Sequence, residues 1–379
     1  MSPSAERSSG SVRGRGLLLV CVWTLVAVRV AAELTGRGAG YWHSDLAQLY
    51  GDQTSFYHGI YPHAAVAPGE TARLTAYPPF SFPLFLPWLP PGLGWRGAQV
   101  WFTFCQILAT AVVVGFAWRR GREAGRGLGW LLAGGVLAMT GLRADLLFGN
   151  CAVLMTATLV WLHAETERPR PAGIAAAFVA SMMKPQMGWL FGLLLFRPRL
   201  GRVVWAVTGA LVLSTLAACA WTGVSPWRIV QSHFTGDLLA FVTDDDRHSL
   251  AVGLRSAGLS ATWALAVAAL AGVACTIGAL RTRLAAADTL TRFAFVSLVN
   301  RICTYHNACD DLLLVFPLIW LGRSAWRDDK WAAWMAFLLL GATVWAPTFA
   351  LHWPGSNSVV VTIWVAVAAW LWWKGRSSP

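Results

Sequence analysis

Residues 203–222 read VVWAVTGALVLSTLAACAWT, a run of twenty residues without a charged side chain. About twenty apolar residues in a helix are enough to cross the hydrocarbon core of a bilayer. Further apolar runs, several of them shorter, predict an all-α polytopic membrane protein with about twelve transmembrane helices. The runs lie near residues 16–32, 97–118, 128–145, 150–163, 172–183, 186–197, 203–222, 259–280, 289–304, 310–322, 331–350 and 357–373.

The composition supports one membrane domain. Of the 379 residues 56% are hydrophobic and only 13% are charged, whereas a soluble domain carries about 25% charged residues. We therefore expect a transmembrane domain over residues 17–373, flanked by cytoplasmic tails at 1–16 and 374–379. The seven cysteines are scattered and show no CxxC spacing, so we interpret them as small apolar residues and not as disulfides.

The net charge of +12 could indicate nucleic acid as a partner, but the arginines form short clusters between apolar runs. Such clusters mark the cytoplasmic ends of membrane helices. The densest, Arg119-Arg120-Gly121-Arg122, fixes the orientation that we predict: both termini are cytoplasmic in a multi-pass protein of the cell membrane. We expect membrane lipids and no nucleic acid as partners.

This orientation places the chemically distinctive segments on the outer side. They are the long loop 34–96, residues 143–150, Lys184, the loop 223–258 and residues 305–311. The prolines between residues 78 and 91 disfavour a continuous helix, so we expect the long loop to contain short helices or a hairpin that lines a cavity.

Two of these outer residues suit catalysis. Asp45 follows the first span, where partial loss of solvent suits a general base; a solvated loop acid is the alternative. Lys184 at membrane depth would neutralise a lipid phosphate, unless its side chain only extends to the membrane surface.

Two further groups are less specific. Asp244 and Asp246 have a spacing that elsewhere holds a divalent metal, although consecutive acids in a loop are usually just solvated. His306 and Asp310 are four residues apart and would share a helix face. With Tyr305, Asn307 and Asp311 they form the densest polar group beside any span.

Short motifs follow one another along residues 17–325. They are Asp45 after the first span, Tyr77-Pro78-Pro79 before an apolar hairpin, Phe148-Gly149-Asn150, Lys184-Pro185, His248-Ser249-Leu250 with Arg255 downstream, and Tyr305-His306 through Asp310-Asp311-Leu312. In this order they resemble glycosyltransferase family 87 of the GT-C superfamily, which includes polyprenol-phosphate-mannose-dependent α-mannosyltransferases. Two elements depart from the family: its Gly-Gln-x-Asn is reduced to Gly149-Asn150, and its Asn-Gln-Ser has become Arg247-His248-Ser249.

The resemblance implies a GT-C-like fold and a hexosyltransferase. Such an enzyme moves a sugar, expected to be mannose, from a polyprenyl-phosphate donor to a hydroxyl of a lipid or glycan acceptor on the outer face. The family's general base matches Asp45. We expect donor-phosphate contacts and a substrate lining from the following residues. The phosphate contacts are Lys184, Arg143, Arg255 and His306, and the lining is Trp42, Tyr50, Tyr77, Asn150, His248 and Asp310.

No cofactor and no metal site are expected, although a divalent cation between Asp244 and Asp246 stays open. The alternative functions are a polytopic transporter or lipid flippase, and an assembly factor. A transporter often shows an internal repeat and a site at mid-membrane, whereas no repeat is evident in this chain and its polar residues gather at one face. These features favour the transferase.

Overall fold

The computed structural model describes residues 3–34, 43–62, 77–196, 200–228, 248–304, 307–346 and 355–374. Every regular element in these ranges is helical. The helices are α1 Pro3–Leu34, α2 Ser44–Tyr57, α3 Ser81–Phe85, α4 Trp95–Arg122, α5 Arg126–Leu137, α6 Thr140–Phe148, α7 Ala152–Glu167, α8 Pro171–Ser181, α9 Pro185–Gly188, α10 Gly201–Thr222, α11 Leu250–Ser256, α12 Ala261–Arg281, α13 Thr289–Cys303, α14 Val315–Asp328, α15 Trp331–Trp345 and α16 Ser356–Lys374. Two 3₁₀ helices, Trp189–Leu195 and Ala308–Leu314, complete the set.

Within the described residues, five helices are long and apolar enough to cross a membrane: α1 (over Gly14–Ala31), α4, α10, α12 and α16. The pair α5 and α6 meets the same test as one span, with a bend of 44° between them. The protein is therefore a multi-pass membrane protein. The expected count of about twelve spans is not confirmed, because several apolar runs form helices such as α8 and α15 that are shorter than a full crossing.

The outer faces of these helices carry large apolar side chains. Trp205 on α10 is 79% exposed and Trp263 on α12 is 68% exposed. Exposed apolar surface on this scale would be unfavourable in water, but it matches the hydrocarbon of a bilayer.

Helix α13 forms the centre of the bundle. Almost all of its side chains are buried, and they include Asn300 and Arg301 near its C-terminal end. It packs against α12, α14 and α16. Buried polar groups must be paired, so this end of α13 marks a place where polar contacts concentrate.

The bend between α5 and α6 is held by Arg29 of α1. Its guanidinium donates to the backbone oxygen of Ala138, to Oγ1 of Thr140 at 2.9 Å and to the backbone oxygen of Trp345 at 2.5 Å. The last carbonyls of a helix lack partners within the helix, and a guanidinium can satisfy several of them at once. Arg29 therefore joins α1, the bend and the end of α15.

The segment between α1 and α4 contains the short helices α2 and α3, as expected. The ring of Phe56 on α2 stacks on Phe82 of α3 with centroids 5.2 Å apart. Between α2 and residues 89–94 lies a cavity of about 390 Å³. All seven cysteines are free, so their interpretation as unpaired residues is confirmed.

Candidate active site

A chain of hydrogen bonds joins four side chains from four distant parts of the sequence. The Nδ2 of Asn150 donates to Oδ2 of Asp45 at 2.7 Å, and the Nζ of Lys184 donates to Oδ1 of Asn150 at 2.9 Å. The same ammonium pairs with Oδ1 of Asp310. We call Asp45, Asn150, Lys184 and Asp310 the polar chain; all four were singled out from the sequence.

Exposure changes along the polar chain. Asp310 is 0% exposed, Lys184 3% and Asn150 7%, whereas Asp45 is only half-buried. A simple extension of Lys184 to the membrane surface is therefore wrong. Among the described residues no group donates to Oδ1 of Asp45, whereas Oδ2 accepts from Asn150.

Each member of the polar chain lies at a helix end or break. Asp45 is in the first turn of α2, and Lys184 immediately precedes Pro185, the first residue of α9. Asp310 belongs to the capping box of the second 3₁₀ helix, where its Oδ2 accepts from the backbone N–H of Asn307 at 3.1 Å. Short polar segments between apolar helices thus meet at one end of the bundle.

Gly149 positions Asn150. It ends α6 in the left-handed conformation, with φ +69°, which a residue without a Cβ adopts at little cost. A Cβ at this position would lie 2.6 Å from Cβ of Leu46 and 3.2 Å from Cδ2 of His43. The turn therefore packs directly against the start of α2, which carries Asp45.

His43, the residue that precedes α2, connects the N-terminal end of this helix to α4 and α6. Its backbone N–H donates to the carbonyl of Leu147 at 2.9 Å. Its ring lies between two side chains of α4: Nδ1 is 3.1 Å from Nε2 of Gln99, and Nε2 is 3.3 Å from Oγ1 of Thr103. Burial lowers the pKa of His43, in keeping with a neutral ring that accepts from Gln99.

Gln106 and Asp145 hold the backbone turn at Asn150 in place, and sequence reasoning missed both. The Nε2 of Gln106 donates to the backbone oxygen of Asn150 at 2.8 Å and to Oδ2 of Asp145 at 3.1 Å. The Oδ1 of Asp145 accepts from the N–H of Ala152 at 2.7 Å. A carboxylate inside an apolar run was the available signal, because polar groups at membrane depth are costly.

A second cluster adjoins the polar chain through Asp311. The Nε of Arg301 donates to Oδ1 of Asp311 at 2.5 Å, and its Nη1 donates to the carbonyl of His248 at 2.6 Å. The guanidinium also lies 4.7 Å from the ring centroid of Trp364. Arg301 was not predicted; it fixes the His248-Ser249 segment beside the end of α13.

Two predicted lining tyrosines are near this site. The hydroxyl of Tyr77 is 3.5 Å from Sγ of Cys151. Burial raises its pKa well above the usual range, and Cys151, Asp45 and Asp310 add to the increase. Tyr50 lines the 390 Å³ cavity beside α2 and donates to the carbonyl of Leu93 at 2.9 Å.

Of the remaining predicted residues, Arg143 and Arg255 are described by the structure and the others are not. Arg143 lies on α6, close enough to Arg29 for their charges to interact. Arg255 lies on α11, and its buried Nη1 has no hydrogen-bond partner among the described residues. Trp42, Asp244, Asp246, Tyr305 and His306 lie outside the described residues, and so does part of the helix face predicted for His306 and Asp310.

Over the part of the chain that the structure describes, no group of three or more His, Cys, Asp or Glu side chains is placed to hold a metal ion. The polar chain contains two carboxylates, but the ammonium of Lys184 occupies one of them. The polar chain is therefore suited to holding the carboxylate of Asp45 in a position where it can accept a proton.

Comparison with known proteins gives one result. The family model for glycosyltransferase family 87 matches residues 75–304, a range that contains Asn150, Lys184 and His248. No curated protein and no solved structure matched the chain. Because the family model covers more than half of the sequence, the chain belongs to glycosyltransferase family 87.

Proposed function

We propose that this membrane glycosyltransferase transfers a sugar, expected to be mannose, from a polyprenyl phosphate to an acceptor hydroxyl, with Asp45 as the general base. The family supplies the reaction class. The observation that carries the proposal is the half-buried carboxylate of Asp45, held through Oδ2 by Asn150 at 2.7 Å. Its second oxygen is left for a substrate hydroxyl.

The proposed chemistry is a single displacement. The acceptor hydroxyl gives its proton to Oδ1 of Asp45 while its oxygen forms a bond to the anomeric carbon of the sugar. The bond from that carbon to the phosphate oxygen breaks, and its electron pair stays on the lipid phosphate. Attack opposite the leaving group inverts the anomeric configuration. The phosphate leaves as a stable anion, so the step needs a base but no separate acid.

Cationic donors would stabilise the departing phosphate. Arg255 is one candidate, because its buried Nη1 lacks a described partner and a guanidinium binds phosphate with two parallel hydrogen bonds. Lys184 already pairs with Asn150 and Asp310, so its contribution would be the charge at the centre of the polar chain. Arg143 and His306 remain candidates for the same phosphate.

The acceptor would enter beside α2. The 390 Å³ cavity is lined by Tyr50, Gln53 and Tyr57, all on α2, which carries Asp45 in its first turn. Aromatic faces and a side-chain amide are suited to a sugar or a polar lipid headgroup. The placement of this end of the bundle on the outer face of the cell membrane, with both termini inside, follows from the distribution of arginines and is part of the proposal.

The test is transfer of radiolabelled mannose from polyprenyl-phosphate-mannose in membranes containing the wild-type protein, Asp45→Asn or Asp45→Ala. We expect label in a product with the wild type and a loss of about a hundredfold or more with either variant, because a general base contributes about 10²–10⁴-fold. Asp328→Asn is the matched control, since Asp328 only pairs with Lys374 at 3.0 Å at an exposed position.

Full activity of Asp45→Asn would refute the assignment of the base. If the wild type transfers no mannose but transfers another polyprenyl-linked sugar, the proposed sugar is wrong and the transferase stands. The family match lends no support to a transporter or flippase. Flux of the lipid across vesicles without any transfer would contradict the proposed reaction.

A further inference from the structure

A second, larger cavity of about 770 Å³ lies between α8, the 3₁₀ helix Trp189–Leu195 and α12, and is independent of the polar chain. Its walls are mainly apolar. The described lining residues that give it this character are Ile174, Leu193, Leu194, Phe196, Leu200, Ile277, Leu280 and Leu284. We call it the lipid-facing groove, because Phe196 at its edge is 69% exposed on a surface that a membrane would cover.

The groove lies at the opposite end of the bundle from Asp45. Helix α7 starts two residues after Asn150 and ends at Glu167, next to the groove residue Thr166. Helix α13 ends beside Arg301 and begins near the groove residue Arg292. A 16-residue helix is about 24 Å long, so most of the membrane thickness separates the two sites.

The charges in the groove are of one sign. Arg281 and Arg292 are the charged residues among its described lining. Arg281 is exposed at the C-terminus of α12. Arg292 donates through Nε to the carbonyl of Leu284 at 3.0 Å and through Nη2 to that of Ala285 at 2.7 Å. These bonds hold its guanidinium in place and leave further N–H groups for a ligand.

Two carboxylates lie near the groove in the sequence. Glu165, beside Thr166, accepts through Oε1 from the indole of Trp161 at 3.2 Å, and its buried Oε2 has no hydrogen-bond partner among the described residues. Asp288 caps α13 by accepting from the N–H of Thr291 at 2.6 Å. Neither carboxylate forms an ion pair with Arg281 or Arg292 among the described contacts, so the free N–H groups of both guanidinium groups stay available to a phosphate.

An apolar groove within a bilayer gains little by exchanging one hydrocarbon chain for another, because lipid tails are as apolar as leucine. Selectivity must therefore come from the headgroup. Two guanidinium groups favour a phosphate whose charge is not offset by a cation of the same lipid.

We propose that the lipid-facing groove binds one anionic glycerophospholipid from the leaflet opposite Asp45, with its phosphate between Arg281 and Arg292 and its acyl chains along the apolar walls. Under the orientation predicted from the sequence, this is the cytoplasmic leaflet. The site would anchor α12 and α13 at the end of the bundle remote from catalysis, and its existence does not depend on the proposed reaction.

The experiment places the purified protein in nanodiscs of phosphatidylcholine mixed with phosphatidylglycerol, and native mass spectrometry counts the retained lipids. We expect the wild type to retain one phosphatidylglycerol in preference to phosphatidylcholine. Arg281→Glu should lower this retention about tenfold or more, since one basic residue near a membrane surface contributes about a fivefold effect and charge reversal exceeds its removal.

Arg283→Glu is the matched control. Arg283 lies two residues from Arg281 and has the same charge, but its guanidinium stacks on Trp372 at 4.2 Å and does not line the groove. It should retain the lipid as the wild type does. Arg281→Gln supplies a milder variant if the charge reversal impairs folding, which size-exclusion profiles would show.

Equal losses in the Arg281 and Arg283 variants would reduce the site to a general basic surface and overturn the proposal. A wild type without preference for phosphatidylglycerol would do the same. Retention of an added polyprenyl phosphate that falls in Arg281→Glu but not in Arg283→Glu would assign the groove to another lipid and would also count against the proposal.

Discussion

The side-chain amide of Asn150 donates a hydrogen bond of 2.7 Å to the carboxylate of Asp45, a residue 105 positions earlier in the chain. The orientation of this amide is fixed from its other side. Its carbonyl oxygen accepts from the ammonium of Lys184 at 2.9 Å, and an ammonium is only a donor. The NH₂ group must therefore point to Asp45, and the buried ion pair of Lys184 and Asp310 sets the position of the proposed base.

Asn150→Ala should lower kcat by about 10- to 100-fold with little change in KM. Asn150 was expected to line the substrate, but both ends of its amide are bonded to Asp45 and Lys184, so the substitution chiefly frees Asp45 to rotate. Sugar-transfer kinetics with the lipid donor measure both constants. In the Asp45→Asn background the same substitution should have almost no further effect. A full, additive loss in that background would show that Asn150 acts independently of Asp45.

Sequence reasoning located the polar chain but not its support. Asp45, Asn150, Lys184 and Asp310 lie in short polar segments beside apolar runs, where a polar residue stands out. Gln106 and Asp145 lie within runs that form helices, and a run that is apolar throughout does not reveal which face meets a neighbour. Their contact, which holds the Asn150 turn, depends on how α4 packs against α6 and α7.

Lys184→Met should destabilise the protein by about 3–5 kcal/mol, because Asp310 would be left as an unpaired buried charge. The measurement is the free energy of unfolding in detergent, supported by the thermal midpoint. Removing both charges in Lys184→Met with Asp310→Leu should recover much of this loss. A single Lys184→Met variant as stable as the wild type would contradict the ion pair.

Gly149→Ala should destabilise the protein and reduce transfer, because the new Cβ would lie 2.6 Å from Cβ of Leu46 at a left-handed φ of +69°. A cost of about 1–3 kcal/mol is usual for a strained backbone position, and displacement of α2 would move Asp45. Gly115→Ala is the matched control: it lies inside α4 with no atom within 4 Å of the added Cβ. Its stability should be unchanged or increased. Equal behaviour of the two variants would contradict the packing of α2 on this turn.

The number of membrane crossings was less predictable than the membrane class. The 20-residue run at 203–222 became the long helix α10, whereas the run at 172–183 became the 11-residue helix α8. Hydropathy reports that a segment avoids water, but it does not distinguish a crossing helix from one buried between others. The contacts of Arg29 could not be predicted either, because its partners include carbonyls at helix ends that only the fold brings together.

Transfer should continue in the presence of EDTA. The proposed displacement uses arginine and lysine to stabilise the phosphate, so it requires no Lewis acid. The assay is mannose transfer before and after chelation, with Mg²⁺ and Mn²⁺ added back. Loss of transfer on chelation, restored by a divalent cation and abolished by Asp244→Asn with Asp246→Asn, would instead assign a metal to that acidic segment.

Acidification should loosen the attachment of α2 through His43. Burial penalises the charged imidazolium, so the pKa of His43 in the folded protein lies below its ordinary value of 6.5. As the pH falls below about 6.5 the unfolded chain takes up the proton first, and stability decreases until the folded protein is protonated too. A protonated ring would also turn Nδ1 into a donor facing the Nε2 of Gln99. Thermal midpoints measured between pH 7 and about 5 should therefore fall more steeply for the wild type than for His43→Gln. Parallel pH profiles of the two proteins would show that another group controls the acid sensitivity.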